Sequence, residues 1–139
     1  MTDINRHKFL LLQILKDIYN NVAISSLLGF KGGTALMLFY DLPRFSVDLE
    51  FNLLEKEKEQ LVFDEINEIL RQYGIIADEA IKFYGSIVVL DYGKGQRKLK
   101  VEVSNRQMEE KYEIKNYLGI QIKTMVAPDM FAHKLCALL

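Results

Sequence analysis

The sequence predicts an α+β (α/β) chain, a mixed β-sheet flanked by helices, and three observations carry that expectation. Two long segments, Ile4–Asn20 and Glu55–Tyr73, repeat apolar residues at helical spacing. Phe45–Leu53 and the region from Ile75 to Val103 alternate as strands do. Between them, Leu28–Lys31 runs into Gly32-Gly33 and then into the short helical pattern Thr34–Tyr40, so strand, turn and helix follow in succession.

Each element has its own signal. In Ile4–Asn20 the apolar positions are Phe9, Leu12, Ile14, Leu15 and Ile18, with Lys8, Gln13, Lys16 and Asp17 between them. Leu36, Phe39 and Tyr40 form the apolar side of the second helix, which Leu42-Pro43 ends because proline lacks an amide donor and disfavours helix before it. Glu55–Tyr73 turns Leu61, Ile66, Ile69 and Leu70 inward, opens on the charged run EKEKE, and offers Gly74 as a C-cap. A meander of Ile81–Phe83, Ser86–Tyr92 and Lys98–Val103 follows, its last two strands joined by Gly93-Lys94-Gly95-Gln96. Ile120–Met125 adds a strand, and Pro128 at an N1 position opens a helix running to Leu139.

Composition narrows the class. The chain has 139 residues, half of them apolar, which suffices for a packed core and fits one domain over residues 1–139 with no repeat or linker. Eighteen basic and 19 acidic residues leave a net charge of −1, which excludes a surface coated in positive charge. Cys136 is the only cysteine, so no internal disulfide and no clustered Cys/His zinc site is expected, and a reducing cytoplasmic setting fits. No apolar run approaches the roughly 18 residues of a spanning helix, and no signal peptide is legible.

The sharpest chemistry lies at Asp48 and Glu50. Residues two apart on a strand share a face, roughly 6–7 Å between Cα atoms, so the two carboxylates can hold a divalent cation while Val47, Leu49 and Phe51 face the core. Leu99, Val101 and Val103 likewise leave Glu102 on the opposite face of its strand, and if that strand neighbours Phe45–Leu53 the third carboxylate reaches the same site. Oxygen ligands of this kind suit Mg²⁺ or Mn²⁺ and leave room for phosphate oxygens. Glu102, on the side of the incoming acceptor, can also receive its proton. Singly, each acid also reads as a solvent-facing residue of a half-exposed strand. Gly32-Gly33 before a helix lets backbone amides approach a triphosphate. Thr34 can cap that helix or donate to phosphate, and Ser46 shares the face of Asp48 and can contact ribose or phosphate.

These residues, KGGTALMLFY, PRFSVDLEF, KLKVEVS and PDMFAHK in that order, resemble the AbiEii-type nucleotidyltransferases, toxin components of bacterial toxin–antitoxin and phage-exclusion systems. The resemblance covers the chain from about Leu28 onward. It implies a polymerase-β-like nucleotidyltransferase core, Gly32, Gly33 and Thr34 around the triphosphate, metal on Asp48, Glu50 and Glu102, and Lys134 as a phosphate-contacting lysine. It further implies transfer of a nucleoside monophosphate from an NTP to an acceptor, tRNA among the possibilities, and an antitoxin partner. Where the family commonly has aspartate, this chain has Glu50 and Glu102, whose longer side chains still bind Mg²⁺ but place it differently. Relatives continue with a helical C-terminal region, so the domain is expected to be truncated at Leu139, and its apolar end suits an antitoxin or a second subunit.

Two alternatives stay open at this level: a catalytically weak nucleotide-binding or antitoxin-binding module of the same fold, and a drug-modifying nucleotidyltransferase with a similar glycine turn and paired acids. The remaining residues read more plainly. Lys31 reads as a flanking surface lysine. Lys94, Arg97, Lys98, Lys100 and Arg106 form a basic stretch that suits either RNA phosphates or a solvated turn. Arg44 fits a phosphate contact or a salt bridge equally well. His7 and His133 have no nucleophile or base beside them. Tyr84, Tyr92, Tyr112 and Tyr117 read as packing residues or as stacking surfaces for a base.

Overall fold

The computed structural model describes residues 3–41, 46–106, 110–130 and 132. Helix α1 is Ile4–Asn20, started by Asp3, whose carboxylate accepts the Arg6 amide at 3.1 Å. Its buried stripe is His7, Leu10, Leu11, Ile14, Leu15, Ile18 and Tyr19. Phe9, expected on that stripe, is 65% exposed instead; the stripe is centred one position further round, on Leu10 and Leu11.

Strand β1 (Leu28–Lys31) leads directly into helix α2 (Gly32–Tyr40), and strand β2 is Leu49–Leu53. Residues 46–48 precede that strand rather than belonging to it, and Arg44 and Phe45 lie outside the described residues. A 3-10 turn, Lys56–Lys58, opens helix α3 (Glu59–Arg71), which buries Val62, Ile66, Asn67, Ile69 and Leu70. Leu61 is on the rim at 36% exposure, and the helix closes on Gln72, not Gly74. Then come β3 (Ile75–Lys82), β4 (Gly85–Asp91), β5 (Leu99–Ser104), β6 (Tyr112–Tyr117) and β7 (Ile120–Met125). Residues 127–130 are helical, as Pro128 predicts; His133, Lys134, Cys136 and the remainder of that expected helix lie outside the described residues.

The strands form one mixed seven-stranded sheet, β3-β4-β5-β2-β1-β7-β6, among the described residues. β3, β4 and β5 make the expected antiparallel meander, β5 runs parallel to β2, β2 antiparallel to β1, and β1 parallel to β7. One face is apolar. Phe30 lies opposite Phe51 with ring centroids 5.4 Å apart, and Leu28, Leu49, Leu53, Val101 and Val103 extend that layer at 2% exposure or less. α1 packs on β7 and on α3, and α3 packs on β3 and β4. Burying such side chains contributes about 1.5–3 kcal/mol each. By register, the other face carries Lys31, Glu50, Asn52, Glu102 and Ser104. No helix among the described residues is long and apolar enough to cross a membrane.

Candidate active site

The parallel pairing of β2 with β5 sets Glu50 directly opposite Glu102, about 4.8 Å away between strands, and Lys31 stands opposite Glu50 on the other side. Both glutamates are half-buried. The conditional neighbourhood expected from sequence is therefore present: β5 does lie beside β2. Burial first, then the nearby Glu102 and Asp48, hold the Glu50 carboxyl above its ordinary range, against the pull of Lys31 and the Gly33 amide.

Glu50 does not point into open space. Its carboxylate rests on the start of α2: a Cβ built on Gly32 would stand 1.6 Å from Glu50 Oε2, and Gly32 itself has φ +85°, a left-handed backbone that glycine alone adopts freely. The glycine turn expected to hold a triphosphate thus holds a carboxylate of the same chain, which the Gly33 amide meets.

Asp48 sits one residue before β2, half-buried, with Oδ1 accepting the Lys100 amide of β5 at 3.3 Å. Thr34 holds this segment in place. It is 1% exposed, and its hydroxyl contacts the Ser46 hydroxyl at 2.9 Å and the Asp48 carbonyl. Thr34 does not cap α2: the N-cap position of that helix is Lys31, with no side-chain cap. Its place here is to fix Ser46 and Asp48. Ser46 Oγ lies 3.0 Å from where a Gly33 Cβ would be, so the serine and both glycines border one turn. Lys134 lies outside the described residues.

Two residues that sequence reasoning set aside prove to be built into the site. Lys31 is half-buried among carboxylates: burial lowers its ammonium from the ordinary lysine range, while Glu50, Glu110 and Glu102 oppose that shift and Arg106 adds to it. The alternation of Phe30 into the core was the available signal, since it sends Lys31 to the acid face. His7 is 1% exposed and joins α1 to the acid segment, with Nε2 2.8 Å from the Val47 carbonyl and Nδ1 2.7 Å from the Tyr92 hydroxyl. Because a carbonyl only accepts, Nε2 carries the hydrogen and Nδ1 accepts from tyrosine. Of the four tyrosines, Tyr92 and Tyr112 serve packing and hydrogen bonding, Tyr112 meeting Asn52 at 2.8 Å, and Tyr117 packs on Phe39. Tyr84 is 58% exposed.

The fit to a divalent cation rests on donor type and register. Two carboxylates, Glu50 and Glu102, stand opposite each other on adjacent strands with Asp48 one residue before β2, and none of the three forms an ion pair among the described residues. As they stand they are not a finished coordination shell: no three His, Cys, Asp or Glu among the described residues are gathered closely enough to hold a metal ion. Glu50 is turned to the helix start and Asp48 to the Lys100 amide. Their donor type, carboxylate oxygen, is the kind that Mg²⁺ takes.

Comparison with known proteins agrees with this arrangement. The chain is similar to a solved protein of H. pylori proposed to be a nucleotidyltransferase, at 25% identity and a TM-score of 0.64, covering 94% of this chain and 57% of that one. It is likewise similar to JHP933 from Helicobacter pylori, at 25% identity and a TM-score of 0.65, covering 99% of this chain and 59% of that one. The chain therefore spans under three fifths of the length of these two structures. No curated protein matches it significantly. The family model described as nucleotidyl transferase AbiEii toxin, type IV TA system, matches residues 13–139. Nearly the whole sheet and its helices fall within that match, and the chain belongs to the AbiEii family of nucleotidyltransferase toxins.

Proposed function

We propose that this chain is a divalent-metal-dependent nucleotidyltransferase that moves a nucleoside monophosphate from an NTP to an RNA acceptor, tRNA first among the candidates, and that an antitoxin opposes it in a bacterial cytoplasm. The observation that carries the reading is the register of Glu50 against Glu102 beside a glycine turn that already receives a carboxylate.

In this reading the Gly32–Gly33 turn and Ser46 take the triphosphate once Glu50 rotates away from the Gly33 amide. Asp48, Glu50 and Glu102 hold the cation, Mg²⁺ or Mn²⁺. When bound, it lowers the pKa of an attacking hydroxyl and offsets phosphate charge. Glu102 accepts the proton of the acceptor hydroxyl as its oxygen bonds to the α-phosphorus and the bond to the β-phosphate breaks, releasing pyrophosphate. Lys31, between Glu50 and the turn, balances the charge of the phosphates.

The test is incubation with each α-labelled NTP and total bacterial tRNA, with Mg²⁺ or with chelator. Label appearing on RNA only with metal supports the proposal and names the nucleotide. Metal-dependent NTP binding without transfer to any RNA would replace it with the binding-module reading. Transfer to a small-molecule acceptor alone would place the chain with the drug-modifying enzymes.

A further inference from the structure

Across the sheet, β1 is followed by β2, β5, β4 and β3, so the glycine turn, the two registered glutamates and the β3–β4 hairpin come in that order. An in-line displacement puts entering and leaving oxygens on opposite sides of the reacting phosphorus. With pyrophosphate leaving at the turn, the acceptor enters from the hairpin side.

The hairpin tip presents two large aromatics that the core does not use. Phe83 is 82% exposed and Tyr84 58%, their rings nearly perpendicular with centroids 4.7 Å apart. The Arg106 guanidinium lies 4.3 Å from the centre of the Tyr84 ring. This tip is held firmly. Asn105, 5% exposed, donates its backbone amide to the Tyr84 carbonyl at 3.0 Å and its side-chain amide to the Phe83 carbonyl at 3.1 Å and to Glu59 at 2.9 Å. Gly85, at φ +153°, lets the turn lie so close to β5 that a Cβ would meet the Val103 carbonyl at 2.1 Å. Between this tip and the acids lies a cavity of about 480 Å³ whose walls include Lys31, Glu50, Glu102, Ser104, Lys82 and Tyr84.

We infer that Phe83, Tyr84 and Arg106 form a stacking platform for the terminal base of a single-stranded RNA acceptor. The inference deepens the nucleotidyltransferase reading and rests on it for the identity of the strand. Aromatic faces receive any base, and a base stacked on Tyr84 leaves its ribose hydroxyl directed along the cavity toward Glu102. Lys82 in the cavity wall and Arg106 beside the Tyr84 ring supply positive charge to the phosphates. Stacking also selects for an unpaired end, because a base inside a duplex has no free face.

The test reads RNA binding without turnover: fluorescence anisotropy of a short single-stranded RNA labelled at its 5′ end, with a blunt duplex of the same sequence beside it. Wild type is compared with Phe83→Ala/Tyr84→Ala and with Tyr84→Trp, and thermal melts verify that each variant is folded. The double variant is expected to bind the single strand about tenfold more weakly, Tyr84→Trp to retain wild-type affinity, and NTP affinity to stay unchanged in both. Unchanged RNA affinity in the double variant, equal binding of duplex and single strand, or a loss of NTP affinity instead would overturn the assignment. Failure of the transferase reading shows separately, as wild type that discriminates RNA ends yet moves no label.

Discussion

Replacing His7 by alanine tests how the acid segment is held. The imidazole is 1% exposed and makes two hydrogen bonds, one to the Val47 carbonyl at 2.8 Å and one to the Tyr92 hydroxyl at 2.7 Å. Each bond contributes about 1 kcal/mol net, and truncation strands a carbonyl and a hydroxyl that water reaches poorly, at about 1–3 kcal/mol for a buried group. The expected loss is about 3–4 kcal/mol. Tyr92→Phe removes one bond only and should cost about 1 kcal/mol. Since both changes break the same contact, the double variant should be less destabilised than the sum. Urea denaturation at neutral pH reads all three. Because Val47 precedes Asp48, His7→Ala should also weaken metal-dependent nucleotide binding under conditions where it remains folded. A cost below about 0.5 kcal/mol, or strictly additive effects with Tyr92→Phe, would refute the clasp.

Three further outcomes follow from the site. Gly32→Ala forces a side chain onto a backbone at φ +85° and into Glu50 Oε2, 1.6 Å from the new carbon; strain alone costs about 1–2 kcal/mol, and nucleotide binding measured by calorimetry should fall with it. Thr34→Val keeps shape but removes the hydroxyl that holds Ser46 and the Asp48 carbonyl, and should cost about 1–2 kcal/mol in denaturation while raising KM for the NTP. Glu50 titrates above its unfolded value, so the folded chain binds that proton more tightly and loses stability as pH rises from the unfolded to the folded value. Glu50→Gln should therefore be the more stable protein at neutral pH without metal, the gap closing below the ordinary carboxylate range, in urea midpoints taken across pH.

Patterns with a strong period were legible before the structure. α1 and β1 match their expected bounds, α3 lies within its own, and α2 ends at Tyr40 as expected but starts two residues early, at Gly32. The placing of Glu50 and Glu102 on one face was also legible, because Leu49, Phe51, Val101 and Val103 fix which side of each strand is buried. Strand β6 was not: Tyr112–Tyr117 is an edge strand, half-exposed along its length, with no apolar face to betray a period of two. Asp48 falls just outside β2, a boundary that alternation alone does not mark. His7, Thr34 and Lys31 act through partners remote in sequence or across strands, and only the register of the folded chain brings those partners near. For the same reason Tyr84 could not be told from the packed tyrosines until its exposure was known.

Nucleotide transfer is proposed to depend on Asp48 just before β2, Glu50 in β2 and Glu102 in β5. The most direct measurement follows label from the preferred α-labelled NTP onto tRNA with Mg²⁺, for wild type, Asp48→Ala and Glu102→Ala, each verified as folded by its thermal melt. Labelled RNA is expected from wild type, with loss of it in both variants. Variants that transfer label at the wild-type rate, or transfer in wild type that persists with chelator, would contradict the proposal.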